Sequence, residues 1–71
     1  MKYYLTSTSK NGYVQLHTTT TSFKEAKNLL KDLANGELAE HRYSICSIGT
    51  SLETVMYEKK PSENFYRDYR D

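Results

Sequence analysis

Residues 21–36 read TSFKEAKNLLKDLANG, and this stretch decides how the rest of the chain is read. Ser22 and Glu25 have the S-x-x-E spacing of a capping box, in which the serine hydroxyl accepts from the third helical amide and the glutamate reaches back to the cap amide. The spacing predicts a helix that starts at Phe23. At about 100° per residue, Phe23, Ala26, Leu29, Leu30, Leu33 and Ala34 fall within an arc of about 140°, a single apolar face that must be buried against something. Asn35-Gly36 supplies two residues that tolerate the left-handed conformation, so the helix is expected to stop there.

Strand patterns lie on both sides of this helix. Residues 2–9 and 13–20 are rich in Tyr, Thr, Val and Leu and flank Lys10-Asn11-Gly12, where Asn-Gly offers the positive φ angles of a tight hairpin. Simple alternation then places Leu5, Val14 and Leu16 toward the helix. It places Tyr4, Tyr13, Gln15 and His17 on the far face. Tyr3, Tyr43 and Tyr57 are assigned to the edge of the core. Thr18, Thr19, Thr20 and Thr21 suit a strand end running into the helix cap. Beyond a connector at 37–41, residues 42–48 are apolar on both faces through Tyr43, Ile45, Cys46 and Ile48, as an inner strand would be. After a hairpin-length loop at 49–53, residues 54–60 alternate Val55 and Tyr57 against Met56 and Glu58, and Pro61 ends the pattern.

The expected fold class is therefore α+β, a small β-β-α-β-β domain over residues 1–61. Its four-stranded antiparallel sheet would carry one helix packed across one face, with strand order left open. Residues 62–71, SENFYRDYRD, form an aromatic, charged tail or a short helix capped by Ser62. In the helical form Phe65 and Tyr69 share one side, and Arg67 and Asp71 pair on another.

Composition narrows the function classes. The chain has 71 residues, enough for one domain with a thin core and no cleft between domains. Ten basic and nine acidic residues in mixed order leave a net charge of +1, which gives no strong pull toward nucleic acid or acidic membranes. A lone cysteine, Cys46, excludes an internal disulfide framework and suits a cytosolic setting. The segment MKYYLTSTSK is too polar for a signal peptide, and no stretch approaches about 20 apolar residues. The expected address is the cytoplasm, that of a host cell if a phage or mobile element encodes the chain.

No catalytic or cofactor signature is present. His17 and His41 lack the close Cys or His spacing of a zinc site, and Gly12, Gly36 and Gly49 are isolated turn or cap residues, not a phosphate loop. Cys46 sits mid-strand beside Ile45, where a thiol serves as a small hydrophobe. The reading is a non-enzyme without metal or cofactor. The unusual feature is seven tyrosines. Tyr4, Tyr13, Gln15 and His17 on the far face, with Phe65, Tyr66 and Tyr69 in the tail, suit a protein interface, where aromatic anchors are enriched. The plainer alternative is that they strengthen cross-strand pairs on a solvated face. Lys24, Lys27 and Lys31 form a stripe of about 60° on the helix that could follow a phosphate backbone or simply face water.

Accessory proteins of phages and mobile elements often have this size and style. The leading expectation is accordingly a small protein-binding modulator or inhibitor of a host or defence protein, expected to form a homodimer. Alternatives are a nucleic-acid-binding module that uses the lysine stripe with Tyr4 and Tyr13, and an oligomer that sequesters a small ligand or nucleotide.

Overall fold

The structure, a computed structural model, describes residues 2–36, 40–48, 53–61, 63 and 65–69. The connector 37–39, the loop 49–52 and the expected cap Ser62 lie outside the described residues. Five strands and one helix follow in the order β1 (Lys2–Thr8), β2 (Val14–Thr20), α1 (Phe23–Ala34), β3 (Arg42–Ile48), β4 (Glu53–Lys59) and β5 (Arg67–Asp68). They make one antiparallel sheet in the order β2-β1-β3-β4-β5 with α1 packed across one face, an α+β domain with one strand more than expected. The extra strand comes from the tail. Arg67 and Asp68 pair with Glu58 and Tyr57, and the Tyr69 amide donates to the Met56 carbonyl at 2.9 Å. A tail helix would leave the outer edge of β4 unpaired, whereas an added strand satisfies part of it.

Local signals work with modifications. The first hairpin closes through a three-residue loop, with the Gly12 amide donating to the Ser9 carbonyl and Gly12 at φ +86°. A type I turn followed by one left-handed residue has this form, and glycine adopts it without strain. At the helix start the Glu25 amide donates to Ser22 Oγ at 3.3 Å. The return half of the capping box is relayed: the Ser22 amide donates to Thr20 Oγ1, and Thr20 Oγ1 donates to Glu25 Oε2. The helix stop differs from expectation. Asn35 is right-handed at φ −94°, ψ −1°, and the Gly36 amide donates to the Leu33 carbonyl, a tightened last turn in place of a left-handed cap. The absence of a side chain at Gly36 matters by proximity, since a Cβ there would stand 3.3 Å from the Asp32 carbonyl oxygen.

The core between sheet and helix consists of Leu5, Ala26, Leu30, Ala34, Tyr43, Ile45 and Tyr57. Tyr3, Phe23, Leu29, Leu33 and Tyr66 pack against it. Phe23 meets Tyr3 and Tyr57 edge-on at 5.4 and 5.8 Å between ring centroids, the T-shaped geometry that aromatic quadrupoles favour. Tyr43 is fully buried, with its hydroxyl donating to the Leu33 carbonyl at 3.2 Å, so it is central to the core where the edge was expected.

Val14 and Leu16 face away from the helix, contrary to the alternation argument, at 68% and 58% exposure. The cause is a β-bulge. Leu5 pairs with Thr18 but Thr6 pairs with Leu16, leaving His17 as an extra residue in β2. One extra residue inverts the facing of everything beyond it. The second hairpin repeats the device: Ile45 pairs with Tyr57 but Cys46 with Val55, leaving Met56 extra, so Tyr57 points inward and Val55 outward. These placements can be tested by stability. Leu5→Ala should cost about 2–5 kcal/mol, as a fully buried leucine does. Leu16→Ala should stay within about 0.5 kcal/mol, as an exposed side chain does. Urea denaturation of the two variants distinguishes this register from plain alternation, which predicts comparable losses.

Candidate functional site

Two surfaces emerge, one on each side of the sheet. The first is the helix-free face, composed of alternate residues of every strand. Register places Tyr4, Thr6 and Thr8 of β1 there, Val14, Leu16 and Thr19 of β2, Arg42, Ser44 and Cys46 of β3, and Val55 and Glu58 of β4. No described element covers it, and Val14, Leu16, Val55, Phe65 and Tyr69 are all large exposed apolar or aromatic side chains.

A polar network at the β5 end of this face keeps the tail in place. Glu58 is 5% exposed, and its carboxylate accepts from the Tyr69 hydroxyl at 2.6 Å and from Arg42 at 3.2 Å. The Tyr69 hydrogen bond is the foremost cause holding Glu58 below its ordinary 4.5, helped by Arg42 and Lys60 and opposed by burial. The same contact raises the Tyr69 phenol above 10.0. Arg67 stands over the Phe65 ring at 4.9 Å and pairs with Glu63 at 3.2 Å, while the expected partner Asp71 lies outside the described residues.

The expected partner-binding residues are thus divided. Tyr4 lies on the helix-free face, while Phe65 and Tyr69 are exposed at its β5 end. Tyr13 stands at the hairpin tip, 77% exposed, and Gln15 pairs opposite Ser7, on the helix side of the sheet by register. His17 is not on the far face: as the bulge residue it turns to the helix side, its Nε2 2.7 Å from Ser7 Oγ and its ring beside Tyr43. Tyr66 also lies on the helix side, stacked on Tyr57 at 5.7 Å. Val14, Leu16 and Val55 join the face in their place, and only the two bulges reveal them.

The second surface is the flank of α1 toward β4 and β5, where Phe23, Lys24, Lys27, Asn28 and Lys31 line a groove of about 310 Å³. Lys27 Nζ stands 5.4 Å over the Tyr57 ring and Lys31 Nζ 5.6 Å over Tyr66. The nucleic-acid constellation expected from sequence is not assembled, because the lysines and Tyr4 occupy opposite sides of the sheet and Tyr13 is at the hairpin tip.

Ser7 and His17 resemble a nucleophile and base by distance, but Ser7 is 1% exposed, so the pair anchors the bulge from within. Burial first, and then His41, lowers the His17 pKa below 6.5. Cys46 is a buried thiol outside any disulfide, and among the described residues no group of three His, Cys, Asp or Glu could hold a metal ion. Among those residues no helix is long and apolar enough to cross a membrane. Comparison with known proteins finds no matching family model, and neither a curated protein nor a solved structure matches the chain.

The two lowered pKa values carry a testable sign. His17 and Glu58 both release protons more readily in the folded chain than unfolded, so the stability they confer is complete above the unfolded values and is lost as pH falls. Loss through His17 begins below 6.5 and loss through Glu58 below 4.5. Tyr69→Phe should lower the urea midpoint at pH 7, and the gap from wild type should close as pH falls below 4.5 and Glu58 protonates. A gap that persists unchanged at low pH would show that Tyr69 stabilises the fold by packing alone.

Proposed function

We propose that the chain is a protein-binding module whose docking surface is the helix-free face of the sheet, acting by occlusion as a modulator or inhibitor of a larger protein. The observation that carries this reading is the outward turn of Val14, Leu16 and Val55 at the two bulges, which places aliphatic side chains on a face already bearing Tyr4, Phe65 and Tyr69. Aliphatic and aromatic anchors around a sparse set of charges describe the centre of a protein interface. A solvated sheet face would carry polar residues at these positions.

Self-association uses the same face. A two-fold axis parallel to the strands lays β2 of one copy over β5 of its partner, which sets Val14 and Leu16 against the Phe65 and Tyr69 rings in an isologous contact. Four seven-residue strands about 4.8 Å apart and about 23 Å long, with the two-residue β5 adding about 7 Å of strand at one edge, give about 480 Å² per copy. The total of about 950 Å² falls just below the size of a stable specific interface, so the dimer would be weak and a better-fitting partner could displace it.

Leu16→Asp is the decisive variant, since its exposed site tolerates the change within about 0.5 kcal/mol while the charge would be buried in any complex. Sedimentation of both proteins across micromolar concentrations, with affinity capture from the source cell run in parallel, is the measurement. The expected result is self-association or a captured protein for wild type, and its loss in a Leu16→Asp variant of unchanged circular dichroism. Equal behaviour of the two proteins would remove the helix-free face as the docking surface.

A further inference from the structure

Residues 11–23 contain no Lys, Arg, Asp or Glu, although 27% of the chain is charged, and the whole of β2 lies within this neutral run. β2 is also an edge strand. In the order β2-β1-β3-β4-β5 it pairs with β1, and among the described residues no element pairs with its outer side. Its first half is bare, since residues 13–16 are exposed on both faces of the sheet. The opposite edge is closed by ordinary means: β5 is two residues long and carries a charge on each, Arg67 and Asp68. Short length and charge keep a sheet edge from pairing with another chain, and β2 has neither.

The ladder shows which main-chain groups of β2 face outward. The Ser9 amide donates to the Tyr13 carbonyl, so alternate residues of β1 from Ser9 back to Tyr3 turn their main-chain groups to β2, and their partners Gln15, Thr18 and Thr20 turn inward. Val14, Leu16 and Thr19 stand opposite Thr8, Thr6 and Tyr4 and turn each N–H and C=O to the outer side. Register places the side chains of the same residues on the helix-free face, so the open edge and the docking face meet along them. The bulge at His17 decides what kind of strand fits. β1 stays regular against bulged β2 from Tyr3 to Thr8, so a second regular strand can follow the outer side for its whole length. A second copy of β2 cannot. Antiparallel pairing of two copies about Gln15 sets Val14 against the partner's Leu16, and the two bulges interrupt the ladder immediately beyond, one at each end.

We infer that the outer edge of β2 takes, as a sixth strand, a regular, uncharged extended segment of the partner protein that covers the helix-free face. The inference rests on the reading of the chain as a protein-binding module and names how the partner is held. Main-chain bonds to Val14, Leu16 and Thr19 supply affinity, and the alternation of side chains along the segment supplies specificity. One side of the segment continues the docking face beside Val14 and Leu16, which suits aliphatic or aromatic residues. The other side lies beside Gln15, Thr18 and Thr20, which suits hydroxyl or amide residues. Acidic and basic segments are disfavoured, because β2 offers no countercharge to offset their desolvation. Area points the same way. The helix-free face supplies about 480 Å² per copy where a standard interface uses about 800 Å², and a strand along β2 extends that face on its apolar side.

The test is a nuclear magnetic resonance titration of the full ¹⁵N-labelled chain with an octapeptide of alternating Val and Thr, N-methylated at its threonines and carrying a short ethylene glycol tail for solubility. Methylation of alternate amides leaves one edge of the peptide free to pair and stops the peptide pairing with itself. The control has the same sequence N-methylated at its valines, which blocks the edge that would place valine beside Val14 and Leu16. The expected result is that the first peptide shifts the amide signals of Val14, Leu16 and Thr19, slows their exchange with deuterium, and binds at least about tenfold more tightly than the control. Leu16→Pro removes one outward N–H at an edge position, where proline is tolerated, and should weaken binding to the level of the control. Val14→Pro carries the same expectation if circular dichroism shows that Leu16→Pro does not fold. Val55→Asp, on the docking face away from β2, should bind the peptide as wild type does, so failure of the docking face and failure of the edge read out separately. The inference is overturned if the two peptides bind equally, if neither causes shifts at millimolar concentration, or if a folded proline variant binds the first peptide unchanged. It is also overturned if protection of Val14, Leu16 and Thr19 rises with the concentration of the chain alone, which would assign the edge to a second copy.

Discussion

The pairing of Leu5 with Ile45 at the centre of the sheet is the constraint on which the architecture depends. Each residue is fully buried under the helix, and each is the last in regular register before a bulge in the neighbouring outer strand, at His17 in β2 and at Met56 in β4. The bulges fall on opposite sides of this pair, so the two hairpins are related by a pseudo-two-fold axis through it. Keeping Leu5 and Ile45 inward while Thr18 and Tyr57 stand opposite them forces the next residues of β2 and β4 to turn over. The same constraint therefore sets both the core and the composition of the exposed face.

A 71-residue chain with one helix has little aliphatic material, and tyrosine makes up the difference. Tyr43 and Tyr57 fill the centre of the core, and Tyr3 and Phe23 close its end through edge contacts. A buried phenol requires a partner, and the Leu33 carbonyl, which accepts from the Gly36 amide with one lone pair, accepts from the Tyr43 hydroxyl with the other. The tail contributes to stability in the same way. Tyr66 covers Tyr57 from the helix side while Tyr69 binds Glu58 from the other, so the two-residue strand β5 is held by a side chain on each face of the sheet.

The two faces divide the chain's chemistry. The helix side gathers lysines along a groove, two of them over tyrosine rings, and the open side pairs Glu58 with Arg42 and leaves aliphatic and aromatic side chains exposed. Near-zero net charge conceals this separation, because the balance is global and the groove is local.

The sequence alone determined the helix and the order of its neighbours, since Ser22, Glu25 and the spacing of Ala26, Leu30 and Ala34 act within a few residues of one another. It also determined the first hairpin, through Gly12, and the lysine stripe, which follows from helical spacing alone. It could not indicate which way Val14, Leu16 and Val55 face. Alternation is counted from an assumed regular strand, and nothing in VQLHTTT or ETVMYEK marks His17 or Met56 as the residue to be bulged. That choice is made when Thr18 and Tyr57 align with Leu5 and Ile45 across the sheet. Similarly, the tail's aromatic residues suggested a helix or a free end by local spacing, but β4 offered an unpaired edge and Glu58 a buried carboxylate in need of donors. Tertiary structure decided the open face and the fate of the tail because both depend on partners far away in the chain, to which local pattern is blind.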